Sequence, residues 1–208
     1  LHITSCYSGI YFNNVDTSLV DNVWAEYCGN GGGFGFYIVN GSCSNTISSC
    51  YALKNYKGMN LNNSSYILLK DNSVCSSVSY GINFNSNSLY NTLSTNTAMY
   101  NNRSFYFEVN SDTNTLMGNT AKFSNQGFNF ENIKGFTVNS NTAISNTGPG
   151  FYINGCLYNT FTANTSTLNT SFGFDIRDGS TNILNSNYAY NNFQYGVYMK
   201  TEVNSKFL

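Results

Sequence analysis

Apolar residues recur along this chain at a fixed step. Phe36, Met59, Ile82, Phe105, Phe128, Phe151, Phe174 and Val197 lie 23 residues apart, and Ile10 precedes Phe36 by 26. Glycine stands immediately before each, at 9, 35, 58, 81, 127, 150, 173 and 196, and only Ser104 departs. The Gly31-Gly32-Gly33 run accounts for the longer first interval and reads as a bulged turn; no lysine or helix follows it to make a phosphate loop. After each glycine the chain alternates, as in Phe151-Tyr152-Ile153-Asn154 and Phe174-Asp175-Ile176-Arg177. Alternation places the first and third residues inward and the second and fourth outward on a strand. A strict period of this length marks a solenoid whose coils stack on one another.

A second motif follows about eight residues later in each repeat: apolar, two others, asparagine, one more, then a small residue. Leu93 to Ala98, Leu116 to Ala121 and Val138 to Ala143 show it clearly. The asparagine column reads Asn22, Asn72, Asn96, Asn119, Asn141, Asn164 and Asn187, with Cys50 in the remaining place. Asparagine tolerates left-handed backbone, so it suits a sharp corner between strands. Its amide both donates and accepts, so side chains one coil apart form a ladder. An unpaired buried amide would cost ~1–3 kcal/mol, which keeps the column uniform.

Three short strands and three turns per coil follow. A leucine-rich repeat would need leucine where Asn45, Asn91, Asn114, Asn159 and Asn182 stand, and left-handed hexapeptide coils give a shorter period. The expected fold is all-β: a right-handed, single-stranded parallel β-helix of about nine coils, one domain over residues 1–208. Neither end carries a polar cap. Leu1 falls at a ladder position and Phe207-Leu208 near an apolar one, so the expectation is a segment of a longer surface protein or a subunit that stacks end to end.

Composition sharpens this picture. Only 9% of residues are charged, against roughly 25% in an average soluble domain. The 41% hydrophobic and 16% aromatic content at fixed spacing argues against disorder. A net charge of −1 gives no electrostatic case for nucleic acid, and no run approaches the ~20 apolar residues of a membrane span. The six cysteines show no CxxC pair and only one histidine, His2, accompanies them, which speaks against structural zinc. Cys50 reads as a small buried thiol. Cys6 and Cys28 are the best-placed pair for a disulfide, because stacked strands lie ~4.8 Å apart and bridged Cα atoms ~4.4–6.8 Å.

The outward positions of the first strand form two stripes. One holds Tyr11, Tyr37, Asn60, Asn83, Tyr106, Asn129, Tyr152, Asp175 and Tyr198; the other holds Glu108, Glu131, Asn154, Arg177 and Lys200. Rings stack on pyranose faces and amides pair with hydroxyls, so Tyr37, Tyr106, Tyr152, Tyr198 and Asn154 are the glycan-binding candidates. Tyrosine and asparagine also decorate exposed strands with no ligand. Glu108 and Glu131 stack on adjacent coils, whereas Glu131 and Arg177 are two coils apart, ~10 Å along the axis. Calcium at Asp175, Asp178 and Asn182 competes with a plain Asp-Gly turn, and no metal or cofactor is expected. Among the Asn-x-Ser/Thr triplets, Asn40, Asn102 and Asn169 fall in turns and are the glycosylation candidates.

Through its Gly-apolar-x-apolar and apolar-x-x-Asn-x-Ala columns the whole chain resembles the parallel β-helix repeat proteins, including NosD-like and carbohydrate-binding CASH-type domains of the pectate-lyase-like superfamily. That family includes polysaccharide lyases, epimerases, hydrolases, tailspikes and surface proteins, and the asparagine-rich regular coils look most like the surface-protein branch. One histidine and mostly inward methionines build no copper site. The resemblance implies an extracellular, non-catalytic structural or adhesive module that contacts glycans along its Tyr/Asn face. The alternative it implies is a polysaccharide lyase, epimerase or hydrolase using Glu108, Glu131, Asp175 and Arg177, although a lyase-like site needs a denser cluster of charge.

Overall fold

The computed structural model describes residues 1–29 and 31–208. All of its regular structure is strand: three parallel sheets of nine strands each, every strand pairing with its counterpart one coil away. Sheet I carries the long strands Ser8–Asn13, Phe34–Val39, Lys57–Asn62, Tyr80–Asn85, Arg103–Phe107, Gln126–Glu131, Phe151–Asn154, Phe174–Arg177 and Val197–Lys200. Sheet II begins at Leu19–Asp21 and sheet III at His2–Thr4, mostly in three-residue strands. No helix is present among the described residues, so none can cross a membrane.

The 23-residue step is the register of sheet I. Phe105, Phe128, Phe151 and Phe174 face one another on successive coils. Their rings stack at 4.6, 4.8 and 4.7 Å between centroids, within 11° of parallel. Leu93, Leu116 and Val138 of sheet II and Ala98, Ala121 and Ala143 of sheet III close the triangle, all fully buried. Stacking at the coil repeat lets each ring cover its neighbour, which keeps the interior dense and dry.

The asparagine ladder is present, with two corrections. Asn72, Asn96, Asn119, Asn141 and Asn164 each donate their Nδ2 to the next coil's Oδ1 at 2.9–3.1 Å. Each also donates its backbone N–H to that same oxygen. Cys50 joins the ladder: its thiol donates to the Ser48 carbonyl at 3.1 Å and sits 3.5 Å from the Val23 N–H. Asn22 does not belong. Tyr51 pairs with Trp24, so Val23 takes the ladder position and Asn22 is an exposed corner residue. The register slips by one because Val20, not Leu19, aligns with Ile47.

The left-handed corner is also one residue earlier than the asparagine. Ser49, Asp71, Thr95, Gly118, Ser140, Ala163 and Ser186 have φ between 51° and 66°. The ladder residue therefore serves as the polar brace behind the bend, with the bend itself made by whichever residue precedes it.

Every corner of the triangle has such a brace. Between sheets I and II run Asn45, then Asn91 and Asn114, then Asn159 and Asn182, with buried Ile67 and Phe136 in the intervening places. Between sheets III and I run Asn55, Ser77, Asn101, Ser124, Asn146, Asn169 and Asn192. Asn169 is accordingly buried, its Nδ2 donating to Asn192 Oδ1 at 2.9 Å, which removes it as an accessible glycosylation site. Asn40 and Asn102 are exposed.

The repeating glycine is explained by this third ladder. A Cβ on Gly150 would fall 2.8 Å from Asn169 Nδ2 and 2.0 Å from Ser166 Oγ. Where serine replaces glycine, at Ser104, serine also replaces the ladder asparagine, and Ser104 Oγ meets Ser124 Oγ at 2.8 Å. Ser104 and Ser124 compensate each other, whereas the ladder's other serine, Ser77, faces a glycine: a Cβ on Gly58 would fall 3.1 Å from Ser77 Oγ. Ser124→Asn alone is expected to destabilise by about 1–3 kcal/mol through overpacking. Adding Ser104→Gly should recover most of that loss in a urea-unfolding double-mutant cycle; additive effects would show that the two positions are independent.

Candidate functional site

The outer face of sheet I carries three columns of side chains, of which simple alternation in the sequence marks two. Both the glycine and the apolar residue after it point inward: a Cβ on Gly35 would meet Asn55 Nδ2 at 2.7 Å and Ala52 Cβ at 3.0 Å. Simple alternation fails there, and the residue before the glycine turns outward. Phe34, Lys57, Tyr80, Arg103, Gln126, Phe172 and Tyr195 are therefore a third column beside the tyrosine stripe. The signal was available, because most residues directly before the repeating glycine are aromatic or cationic.

The middle column keeps the register read from the sequence, Tyr37 to Asn60 to Asn83 to Tyr106 and onward to Tyr198. Its exposure differs from the expectation. Asn60, Asn83, Asn129 and Asp175 are buried at 2% exposure or less, and Tyr106 is 8% exposed. The columns on either side lean over them. Asn83 Nδ2 donates to Glu108 Oε1 at 3.2 Å, and Asn129 Nδ2 donates to Gln126 Oε1 at 2.6 Å. Tyr106 is thus a support beneath the surface, and the accessible rings are its neighbours.

Two charge clusters stand on this face. In the first, Glu131 accepts from the Tyr106 hydroxyl at 2.8 Å and lies 3.6 Å from Arg103. The Arg103 guanidinium lies 4.4 Å from the centre of the Tyr106 ring and 5.8 Å from that of Tyr80. Burial, and then the hydrogen bond to Glu131, push the Tyr106 phenol above its ordinary range. Lys57 lies between Phe34 and Tyr80 at 5.7 and 5.1 Å. Burial pushes the pKa of its ammonium below the ordinary lysine range, with Glu108 opposing.

In the second cluster, Arg177 donates twice to Asp175, from Nε at 2.7 Å and from Nη2 at 2.9 Å. Its guanidinium lies 5.7 Å from the Tyr152 ring centre and 5.4 Å from that of Tyr198. Phe172 stacks on Tyr198 at 5.0 Å, and Tyr195 continues the row. Asp175, with 3% side-chain exposure, holds the Arg177 guanidinium above its ordinary range. Asn154 occupies the coil between Glu131 and Arg177.

The structure therefore divides the four residues of the enzymatic alternative. Glu108 is engaged by Asn83, Glu131 by Tyr106 and Arg103, and Asp175 by Arg177. The calcium reading also separates: Asn182 is buried in a corner ladder, donating to Cys156 O and Glu202 Oε1. Among the described residues no three His, Cys, Asp or Glu side chains gather as a metal site.

At one end of the same face Tyr7, Ser8, Tyr11 and Tyr37 line a hollow of about 250 Å³. Tyr7 and Tyr11 are 63% and 54% exposed, and Tyr11 meets Tyr37 at 5.6 Å between ring centres. Phe34 stacks on Tyr37 at 4.0 Å and fixes it from the side.

The family described as right handed beta helix region matches residues 58–207. The chain belongs to that right-handed β-helix family. No protein of curated function matches its sequence. Among solved structures it is similar to the periplasmic alginate epimerase AlgG, with TM-score 0.73, 11% identity, and coverage of 96% of this chain and 61% of that one. It is similar to the A-module of the Azotobacter vinelandii mannuronan C-5 epimerase AlgE6, with TM-score 0.65, 13% identity, and coverage of 92% and 58%. The alginate lyase of Paenibacillus sp. str. FPU-7 superposes with TM-score 0.59 at 11% identity, covering 96% of this chain and 92% of the lyase. At such identities the likeness is one of fold. The chain spans 61% of the length of the AlgG structure.

Proposed function

We propose that this β-helix holds a polysaccharide along the outer face of sheet I without cleaving it, as an extracellular adhesive or structural module of the surface-protein type. One observation carries the reading: aromatic and cationic side chains line that face on every coil but the sixth, where Gln126, Asn129 and Glu131 stand, running from Tyr11 and Tyr37 through Phe34, Lys57, Tyr80 and Arg103 to Tyr152, Arg177, Tyr198 and Tyr195. Coils advance by ~4.8 Å, close to the length of one sugar ring, so a glycan laid along the axis meets a new ring or cation at most steps. The carboxylates are held by their own neighbours, which suits a binding surface better than acid–base chemistry. The fold neighbours named for alginate and mannuronan, one of them periplasmic, support a polysaccharide partner outside the cytoplasm.

A glycan array identifies the ligand. Against it, Tyr195→Ala combined with Tyr198→Ala is expected to weaken binding by roughly 5- to 100-fold, the loss of two stacking rings. Tyr188→Ala, an exposed tyrosine on sheet III, should leave binding unchanged. Equal affinity of the double variant and the parent would remove this face from the account.

The enzymatic reading shares that fold likeness, since the neighbours are named as epimerases and a lyase, and one local observation adds to it. Tyr152 lies where both clusters act on it: after burial, which raises its phenol, the groups that shift it are Arg177, Asp175, Glu131 and Arg103. Incubation with alginate and pectate, followed by ultraviolet detection of unsaturated sugar, is expected to show no product. Product that disappears in Tyr152→Phe would establish the enzyme.

A further inference from the structure

We propose that Cys6 and Cys28 are an oxidisable pair whose disulfide bridges the first two coils and fixes one wall of the tyrosine hollow. The bridge stands apart from the glycan reading. Cys6 follows the strand His2–Thr4, and Cys28 follows Trp24–Glu26 one coil later. Parallel pairing carries their register past the strand ends: the Ser5 N–H donates to Glu26 O at 3.2 Å and the Gly29 N–H to Cys6 O at 2.8 Å. The two sulfurs meet at 2.7 Å.

The other four cysteines behave differently. Cys50 is built into the corner ladder, and the Cys156 thiol donates to Phe130 O and Asn154 O in the core. Cys43 and Cys75 lie beside the hydroxyls of Ser44 and Ser76. Only Cys6 and Cys28 face each other among the described residues.

Exposure assigns the order of events. Cys6 is half-buried and Cys28 is 1% exposed. Burial, with the Cys6 side chain beside it, pushes the Cys28 thiol up to about 11. With a small-molecule disulfide such as oxidised glutathione as oxidant, the Cys6 thiolate attacks one glutathione sulfur and expels a glutathione thiolate. Cys28 then loses its proton and attacks Cys6 Sγ, expelling the second glutathione. Two protein thiols become one disulfide, and one glutathione disulfide becomes two thiols.

The next residue connects this bridge to the surface. The Tyr7 carbonyl accepts from the Phe34 N–H at 3.0 Å, and the Tyr7 side chain lines the hollow with Ser8, Tyr11 and Tyr37. Fixing residue 6 to the coil beneath fixes the root of that tyrosine.

The test treats the whole protein with oxidised glutathione, alkylates the remaining thiols and maps peptides by mass. The expected product is one Cys6–Cys28 linked pair and no lasting glutathione adduct on Cys6. Amide exchange across Ile3–Tyr11 should then slow by roughly tenfold or more relative to reduced protein. In Cys28→Ser a Cys6–glutathione adduct should accumulate, without that slowing. A persistent adduct on Cys6 in the parent protein, no reaction at either residue, or the same slowing in Cys28→Ser would each overturn the proposal.

Discussion

Asn119→Ala is expected to lower the unfolding free energy by about 3–5 kcal/mol, well beyond a typical surface substitution. Asn119 Oδ1 accepts both the backbone N–H and the Nδ2 of Asn96, at 2.9 and 3.0 Å. Its own Nδ2 donates to Leu93 O and Asn141 Oδ1, both at 2.9 Å. Alanine strands groups on two coils at once, each costing ~1–3 kcal/mol in a site closed to water. Asn119→Asp adds a test of sign. The carboxylate would face the Leu93 carbonyl and the Asn141 carbonyl oxygen, so the folded chain favours the protonated form and raises the group above its unfolded value of ~3.9. Stability of that variant is therefore highest below pH ~4 and falls as pH rises, the reverse of a salt-bridged aspartate. Urea titrations across pH measure both effects. Asn22→Gly serves as the reference, expected within about 0.5 kcal/mol of the parent because Asn22 is exposed, off the ladder and at φ 53°, which glycine adopts freely. A loss at Asn22 equal to that at Asn119 would contradict the register.

The second large effect is expected at Phe128→Ala, about 3–5 kcal/mol. Phe128 is the middle of the Phe105–Phe128–Phe151 stack, with both faces covered by rings 4.6 and 4.8 Å away. A cavity at this point cannot be filled from elsewhere, because each coil touches only its two neighbours. The damage should therefore be local in place and visible in shape: a denaturation curve that splits or broadens, with a lower slope, as the two halves of the solenoid lose their coupling. Phe174→Ala, nearer one end of the stack, should lower stability without splitting the curve. A single sharp transition with unchanged slope in Phe128→Ala would show that coupling runs through the corner ladders instead.

Most of the architecture was legible because stacking repeats a chemical demand at a fixed interval. Phe105, Phe128 and Phe151 announce the inward position of sheet I, and Asn96, Asn119 and Asn141 announce a corner. The misreadings share a cause. At Asn22 and Asn169 residue type and register disagree, and an asparagine outside the ladder and one inside it look alike in isolation. The corner was assigned to the ladder asparagine because that residue type tolerates left-handed backbone, yet Thr95 and Ala163 adopt it one place earlier.

The candidate face was half legible. The tyrosine stripe followed from alternation, but Phe34, Lys57, Tyr80 and Arg103 were hidden because two successive inward residues at each glycine break the period of two. Burial of Asn83 and Asp175 could not be read at all, since it depends on how long side chains from adjacent columns fold over. That same covering divides Glu131 from Asp175 into separate pairs.

The exchange of Gly and Asn for Ser104 and Ser124 fixes where this solenoid can be cut and rejoined. Both members of each such pair lie within one coil counted from the glycine, so excising residues 104–126 removes a matched set and joins Arg103 to Gly127. Excising residues 115–136 preserves strand register equally well, yet it leaves Ser104 opposite Asn146, a serine side chain where the amide requires bare backbone. Chain length beside this pair is thus adjustable only in modules that keep or remove Ser104 and Ser124 together, and a seam at the glycine does so.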